Sequence, residues 1–358
     1  MTKRLNTSFW AKSLGRSMTA MTRMATATSN HMLRHALKPA VALHRTPPPG
    51  AGAWLPGVAM GLGGALRYRL YRPPNVTASE RLPLLVMLHG CGQDADSFAC
   101  STRMNRIAMR ERFLVLYPEQ DRLRNPQGCW NWFDTDSGRA YAEADLILNA
   151  IDQACLLYPV DRQQVALAGL SAGASMAALL ATRHPDRFKA VVMHSGIPPG
   201  AAHSTLTALG AMHGHRAIVP LTILPWHMAR HWPPLLVIHG DADITVSPHN
   251  AAAATATWAH AAGAGAGAIA GGCTEAGASA GVPRQVQRGK RHPMLVTDFT
   301  HRGTLVASLV QVAKLGHAWS GGAAGQPFSD ALGPDASRMV WAFAARQFRS
   351  RAAATSLN

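Results

Sequence analysis

No apolar run in the 358-residue chain reaches the length of about 18 residues that a membrane-spanning helix needs, so none is expected. Acidic side chains are scarce: 19 Asp and Glu stand against 35 Lys and Arg, for a net charge of +16. The first 50 residues hold no acidic side chain, yet contain Lys3, Arg4, Lys12, Arg16, Arg23, Arg34, Lys38 and Arg45. That stretch also lacks the apolar h-region of a secretory signal. The cysteines, Cys91, Cys100, Cys129, Cys155 and Cys273, show no metal-ligand spacing, and their odd number leaves at least one thiol unpaired in a monomer. There is no zinc-finger spacing, no RNP-like aromatic motif and no recognition helix. A nucleic-acid partner is therefore not expected despite the basic surface.

One stretch organises what is present. Val165 to Ala168 is an apolar run that reads as a buried strand, and an Ala/Met/Leu-rich run after Gly173 reads as a helix. Between them lies Gly169-Leu170-Ser171-Ala172-Gly173. Strand, G-x-S-x-G and helix in that order make a nucleophile elbow. The chain must reverse sharply at Ser171, so side chains two positions to either side would collide with strand or helix, and glycines remove them. The serine then stands at the positive end of the following helix.

Before this point the sequence divides by composition. Residues 1 to 50 form a basic extension ending in the Pro-rich linker Arg45 to Gly50. Phe9, Trp10, Leu14, Met18, Met21 and Met24 recur at helical spacing. Residues 5 to 25 read either as an amphipathic helix that touches a granule or membrane surface or as a tail without such a role. The globular part is expected to start near Gly61 and to run over about 60–350. Strands are expected at Leu66–Tyr71, Leu84–Leu88, Phe113–Tyr117 (closed by Pro118), Ala190–His194, Leu235–His239, Met294–Phe299 and Thr304–Val312. Helices are expected at Arg103–Glu111, Glu143–Leu157 and Asp335–Phe348. Residues 200 to 232 read as a loop-like cap segment, and 261 to 283 as an Ala/Gly-rich insertion. Alternating strands and helices predict an α/β fold, a mostly parallel central sheet with helices on both faces.

A serine hydroxyl needs a base, and in an α/β-hydrolase fold the partners follow in the order Ser, acid, His. The acid belongs in the turn after a buried strand. His239-Gly240-Asp241-Ala242-Asp243 occupies such a turn. Gly-x-x-Asp, the usual arrangement there, selects Asp243, while Asp241 is the alternative and would otherwise cap the turn. Among the later histidines, His317 follows a strong apolar strand and sits in a glycine-flanked loop, so it is the expected base. The oxyanion hole needs two backbone N–H donors. Ala172 follows the nucleophile, and Cys91 lies in the His89-Gly90-Cys91-Gly92 loop after an early central strand. Cys91 and Cys129 are candidates for a disulfide that their spacing does not decide. Trp130, Trp132 and Phe133 crowd one polar loop, and Trp319 follows His317. They read either as a cluster pinning loops to the core or as apolar walls of a substrate path.

The stretches LLVMLHGCGQDADSFA, VLYPEQ, CWNWF, VALAGLSAGASMAALLA, HGDADITVSPHNA, LGHAWSGG and SDALGPDASRMVWAF run in chain order over about 65 to 348. Together they resemble the poly(3-hydroxybutyrate) depolymerase family of esterases, α/β-hydrolases related to feruloyl and acetylxylan esterases. The resemblance implies a triad of Ser171, Asp243 and His317, with oxyanion donors Cys91 and Ala172. It also implies hydrolysis of poly- or oligo-(3-hydroxyalkanoate) or of small esters, without metal or cofactor. The Ala/Gly-rich insertion departs from the family. Many members are secreted and this N-terminus shows no signal, so extracellular, cytoplasmic and granule-associated sites all stay open. A surface-binding protein with an inactive hydrolase domain is a rival from another class.

Overall fold

The computed structural model describes residues 50–215, 232–269 and 278–355. The basic extension, about half of the cap segment (216–231), Cys273 and the centre of the Ala/Gly-rich stretch lie outside these residues. So does the amphipathic stretch expected at 5 to 25.

In chain order the described elements begin with β1 (Ala53–Gly61), β2 (Gly64–Arg72) and β3 (Leu82–Leu88). Two short helices follow, α1 (Ala95–Thr102) and α2 (Met104–Glu111), then β4 (Leu114–Glu119), α3 (Arg139–Leu157) and β5 (Val160–Leu170). Next come α4 (Ala172–Arg183), β6 (Ala190–His194), α5 (Thr205–Met212), β7 (Leu235–Gly240) and α6 (His249–Ile269). Short β8 (Ser279–Ala280) and β9 (Arg284–Val286) precede β10 (Met294–His301) and β11 (Thr304–Val312). A two-residue pair, β12 (Trp319–Ser320) and β13 (Ser329–Asp330), leads to α7 (Ala336–Thr355).

The main sheet runs β1-β2-β4-β3-β5-β6-β7-β11-β10-β8, with β9 also on β10. Pairing is parallel from β4 through β11 and antiparallel at both margins. The parallel strands are apolar on both faces because helices cover both. Alternation along β3 shows it: Leu84, Val86 and Leu88 pack with α3 and α4, while Leu85 and Met87 pack with α1, α2 and α7. Among the described residues no helix is long and apolar enough to cross a membrane.

Several boundaries differ from expectation for local reasons. The folded part starts at β1, nine residues paired in full register with β2, before Gly61. The helix expected at Arg103–Glu111 is α2, preceded by a separate α1. Asp94 caps α1 in a box with Ser97, and Arg103, at φ +55°, breaks the two apart. Pro118 does not close β4 but lies within it, paired with Tyr68. On the other side β3 pairs with β4 only as far as Leu116, so no β3 partner needs the missing N–H. Helix α3 begins at Arg139 rather than Glu143, and α7 continues past Phe348. Part of the cap segment is α5, capped by Ser204 with Thr207. The Ala-rich start of the insertion is the last turns of α6, as alanine's helix propensity favours.

Candidate active site

The site forms at the carboxyl ends of the parallel strands. Ser171 follows β5 directly with φ +56° and ψ −122°, a conformation that side chains seldom adopt. Its N–H bonds to the His194 carbonyl at 2.8 Å, tying the turn to β6. The two glycines of the elbow answer to specific neighbours. A Cβ on Gly169 would stand 2.3 Å from the Gly173 carbonyl oxygen, and one on Gly173 would stand 2.2 Å from the Leu88 oxygen of β3. Either substitution therefore moves backbone.

Asp243 and His317 approach through paired backbones. Strands β7 and β11 run parallel to the end, with Val312 opposite Gly240. Beyond the strands, Asp241 N–H donates to the Val312 carbonyl at 3.0 Å and Ala242 N–H to the Leu315 carbonyl at 3.1 Å. Asp241 Oδ1 accepts the Lys314 N–H at 2.7 Å and so closes the turn. Gly240 permits this approach, since a Cβ there would meet the Leu315 oxygen at 2.0 Å.

His317 Nδ1 then lies 2.8 Å from Asp243 Oδ2, and His317 Nε2 lies 2.9 Å from Ser171 Oγ. A carboxylate only accepts, so the imidazole proton sits on Nδ1 and Nε2 is free to accept the serine proton. Asp243 Oδ1 accepts the N–H groups of Thr245 and Val246 at 2.9 Å each. Burial by itself would raise the Asp243 pKa. Hydrogen bonds from His239, His317 and the Val246 N–H outweigh it and hold the carboxyl well below the usual range.

The opposite wall is the loop after β3. Among the described residues, neither the Cys91 N–H nor the Ala172 N–H takes an acceptor. The backbone around Cys91 is fixed from every side. His89 Nδ1 donates to the Gly90 carbonyl at 2.8 Å, and its Nε2 accepts the Gln120 N–H at 3.1 Å. Burial drops the His89 pKa to about 4, so the ring stays neutral. Gln93 Oε1 accepts the Gly90 N–H, and the Gly92 N–H reaches the Gln127 carbonyl. A disulfide joins Cys91 to Cys129, deciding a pairing that the sequence leaves open.

The aromatic residues divide. Trp130 is fully buried and its Nε1–H donates to the His89 carbonyl. Trp319 is fully buried too, with its Nε1–H on Ser337 Oγ, its ring stacked on His194 and its face edge-on to Phe98. Neither has surface to offer, so the reading of Trp130 and Trp319 as substrate walls is corrected: they pin loops to the core. Trp132, 7% exposed, and half-buried Phe133 form an edge-to-face pair in the cluster that holds Ala172. Phe328, absent from the sequence reading, is 41% exposed at φ +52°. Its ring approaches Gly92, and its carbonyl accepts the Trp319 N–H. His239, also missed as a site residue, touches Asp243. One signal could have found it: β6 and β7 both place a histidine at or next to their carboxyl ends. Among the described residues no group of three His, Cys, Asp or Glu side chains could hold a metal.

A mostly parallel sheet with a left-handed serine between strand and helix is an α/β-hydrolase. The acetyl xylan esterase from Aspergillus awamori has a similar fold (TM-score 0.53, 17% identity), covering 74% of this chain and 94% of that one. The chain belongs to the family described as esterase PHB depolymerase, whose model matches residues 66–280. That match includes Ser171 and Asp243 and stops short of His317. Poly(3-hydroxyalkanoate) depolymerase C of Paucimonas lemoignei is 33% identical over 197 residues, 52% of this chain and 46% of that protein. Acetylxylan esterase A of Emericella nidulans is 24% identical over 196 residues, 51% of this chain and 63% of that one. The chain thus spans about half the length of the curated relatives it matches.

Proposed function

We propose that the protein is a serine carboxylester hydrolase that cleaves poly- or oligo-(3-hydroxyalkanoate) esters. The observation that carries the chemistry is the continuous hydrogen-bonded series from Ser171 Oγ through His317 to Asp243. Ser171 Oγ attacks the ester carbonyl while His317 Nε2 takes its proton. The oxyanion that forms lies between the N–H groups of Cys91 and Ala172. His317 returns the proton to the leaving alcohol, and Ser171 remains acylated. Water, deprotonated by His317, then attacks the acyl carbon and releases the acid. Asp243 holds the Nδ1–H tautomer and stabilises the imidazolium throughout.

The substrate class rests on the relative acting on poly(3-hydroxyalkanoate) and on exposed apolar side chains at this end of the sheet. The β1–β2 turn carries exposed Leu62, and register puts that turn at the carboxyl end of β4. Leu123 follows β4, Leu206 and Leu209 lie on α5 after β6, and Ile244 stands beside Asp243; all are exposed. Apolar groups so placed suit a polyester chain, which offers few hydrogen-bond donors. A second reading keeps the chemistry and takes acetyl or other small esters, as the likeness to acetylxylan esterase A favours.

Initial rates of the wild type and Ser171→Ala on p-nitrophenyl butyrate, and on amorphous poly(3-hydroxybutyrate) by turbidity, test both readings. Cleavage of both substrates, abolished by Ser171→Ala, is the expected result. Cleavage of the small ester alone moves the substrate to small esters. No cleavage by folded protein overturns the catalytic assignment and favours a surface-binding role.

A further inference from the structure

Three imidazoles interact with the Asp243 carboxylate: His317 and His239 touch it, and His194 feels its charge. His194 accepts the Ser320 N–H at Nε2, 3.1 Å away, so its proton lies on Nδ1, 3.2 Å from Ser195 Oγ. Burial, followed by the nearby His239 and His317, lowers its pKa to about 3. His239 is the third ring. Its Nε2 lies 2.9 Å from the Val246 carbonyl and 3.3 Å from Asp243 Oδ2. Both are acceptors, so Nε2 carries the proton. Its Nδ1 is buried and, among the described residues, has no hydrogen-bond partner. A second proton there would be a buried charge without an acceptor. Leaving a buried nitrogen unpaired costs stability, and an apolar side chain would fill the space without that cost.

We propose that His239 is a positioning residue for the hydrolysis: its neutral Nε2–H is a second donor to the Asp243 oxygen that binds His317, and it sets how basic His317 is. The proposal rests on the Ser171 esterase reading above. Asp243 Oδ1 is held by its own turn, through Thr245 and Val246. Oδ2 is shared by His317 from the loop after β11 and His239 from β7. The other titratable groups at this place are His194 on β6 and Asp241, whose Oδ1 is occupied by the Lys314 N–H. A neutral donor draws off part of the carboxylate's charge. Without it the carboxylate attracts the His317 imidazolium more strongly, and His317 keeps its proton to higher pH. Oδ2 also loses one of the two contacts that aim it.

The test compares His239→Phe, which keeps the ring shape without the donor, and His239→Gln, whose amide N–H reaches to a similar depth. The readout is the pH profile of kcat/KM on p-nitrophenyl butyrate. For His239→Phe we expect kcat lower by about tenfold, KM within about twofold, and the acid limb displaced upward by about half a pH unit or more. His239→Gln should recover most of the rate and the wild-type limb. An unmoved limb in His239→Phe, or equal losses in both variants, overturns the proposal. Should His239→Phe fail to fold, long-range 1H–15N spectra of the wild type decide. A neutral Nε2–H tautomer for His239 from about pH 5 to 9 supports the proposal, and a titrating ring or an Nδ1–H tautomer overturns it. Wild type inactive on the ester would instead overturn the esterase reading, and the spectra would still report on His239.

Discussion

The two walls of the proposed site are built by different means. On the acid–base wall, Asp243 and His317 meet because β7 and β11 are paired to their last residues and three backbone N–H bonds continue the pairing into the turns. On the oxyanion wall, the loop at Cys91 leaves its strand and is held mainly by side chains, those of His89, Gln93, Gln120 and Trp130 and the disulfide to Cys129, with one backbone bond from the Gly92 N–H to the Gln127 carbonyl. The difference follows from what each wall supplies. Asp243 and His317 are side chains, and strand register places them. In the proposed function the oxyanion donor at Cys91 is a backbone N–H that must stay unpaired, so the loop that bears it cannot be secured by sheet pairing at that residue.

The largest effect that can break this comparison is on the acid–base wall. Asp243→Asn should lower kcat about a thousandfold or more, because the amide can present a donor to Nδ1 and stabilise the wrong tautomer. Asp241→Asn, which touches only the Lys314 N–H, should stay within about threefold. Similar losses from both in esterase assays would show that the turn itself, not the carboxylate at Asp243, is what matters. The next effect is on the oxyanion wall. The disulfide closes a sequence separation of 38 residues, and Cys91→Ser with Cys129→Ser should cost about 2–4 kcal/mol in urea unfolding. The same pair should cost about tenfold in kcat, part of the value of one oxyanion donor. Full activity in the double variant would mean that the side chains alone fix the loop.

The smallest effect concerns acid stability and should leave activity at neutral pH unchanged. Each wall has a neutral buried histidine: His89 at about 4 and His194 at about 3, both below the ordinary 6.5. The unfolded chain therefore takes up protons that the folded one refuses. Stability is lost as pH falls from about 6.5 towards 4 for His89, and towards 3 for His194. Asp243 adds a loss of the same sign lower down, since its depressed pKa stabilises the fold only above the ordinary 3.8. Unfolding free energies from urea titrations at about pH 7 and about pH 4.5 should differ by on the order of a few kcal/mol. Equal free energies would mean that neither imidazole is held neutral by burial.

What the sequence made legible was local. Gly169 and Gly173 flank Ser171 because the turn itself forbids a Cβ, and a five-residue pattern can carry that. The apolar runs ending at Leu88, Ala168, His194 and His239 are strands buried on both faces, and their continuity shows in the chain. The choice between Asp241 and Asp243 depended on a spacing, and the structure puts Asp243 against His317 and Asp241 against Lys314. The aromatic residues were not legible in this way. Whether a tryptophan lies in the core or on a wall depends on what packs over its loop. For Trp319 that is Phe98, His194 and Ser337, all distant in sequence. Phe328 was missed for the same reason: nothing beside it in the chain announces Gly92 as its neighbour. Arg103 carries no helix-breaking signal either, although its backbone is left-handed at φ +55°.

The series from Ser171 to Asp243 also bears on how the molecule comes to be active. Ser171 and His317 are 146 residues apart, His317 and Asp243 are 74 apart, and Gly173 rests on the last residue of β3. Each of these contacts closes a long loop, and contacts of high sequence separation form late and slowly. Burial of Trp258, whose Nε1–H bonds to the Pro233 carbonyl 25 residues away, can precede that closure, but a reactive serine cannot. In a refolding experiment, recovered esterase activity should trail the fluorescence change, and a nascent or partly folded chain should have no hydrolytic capacity to restrain.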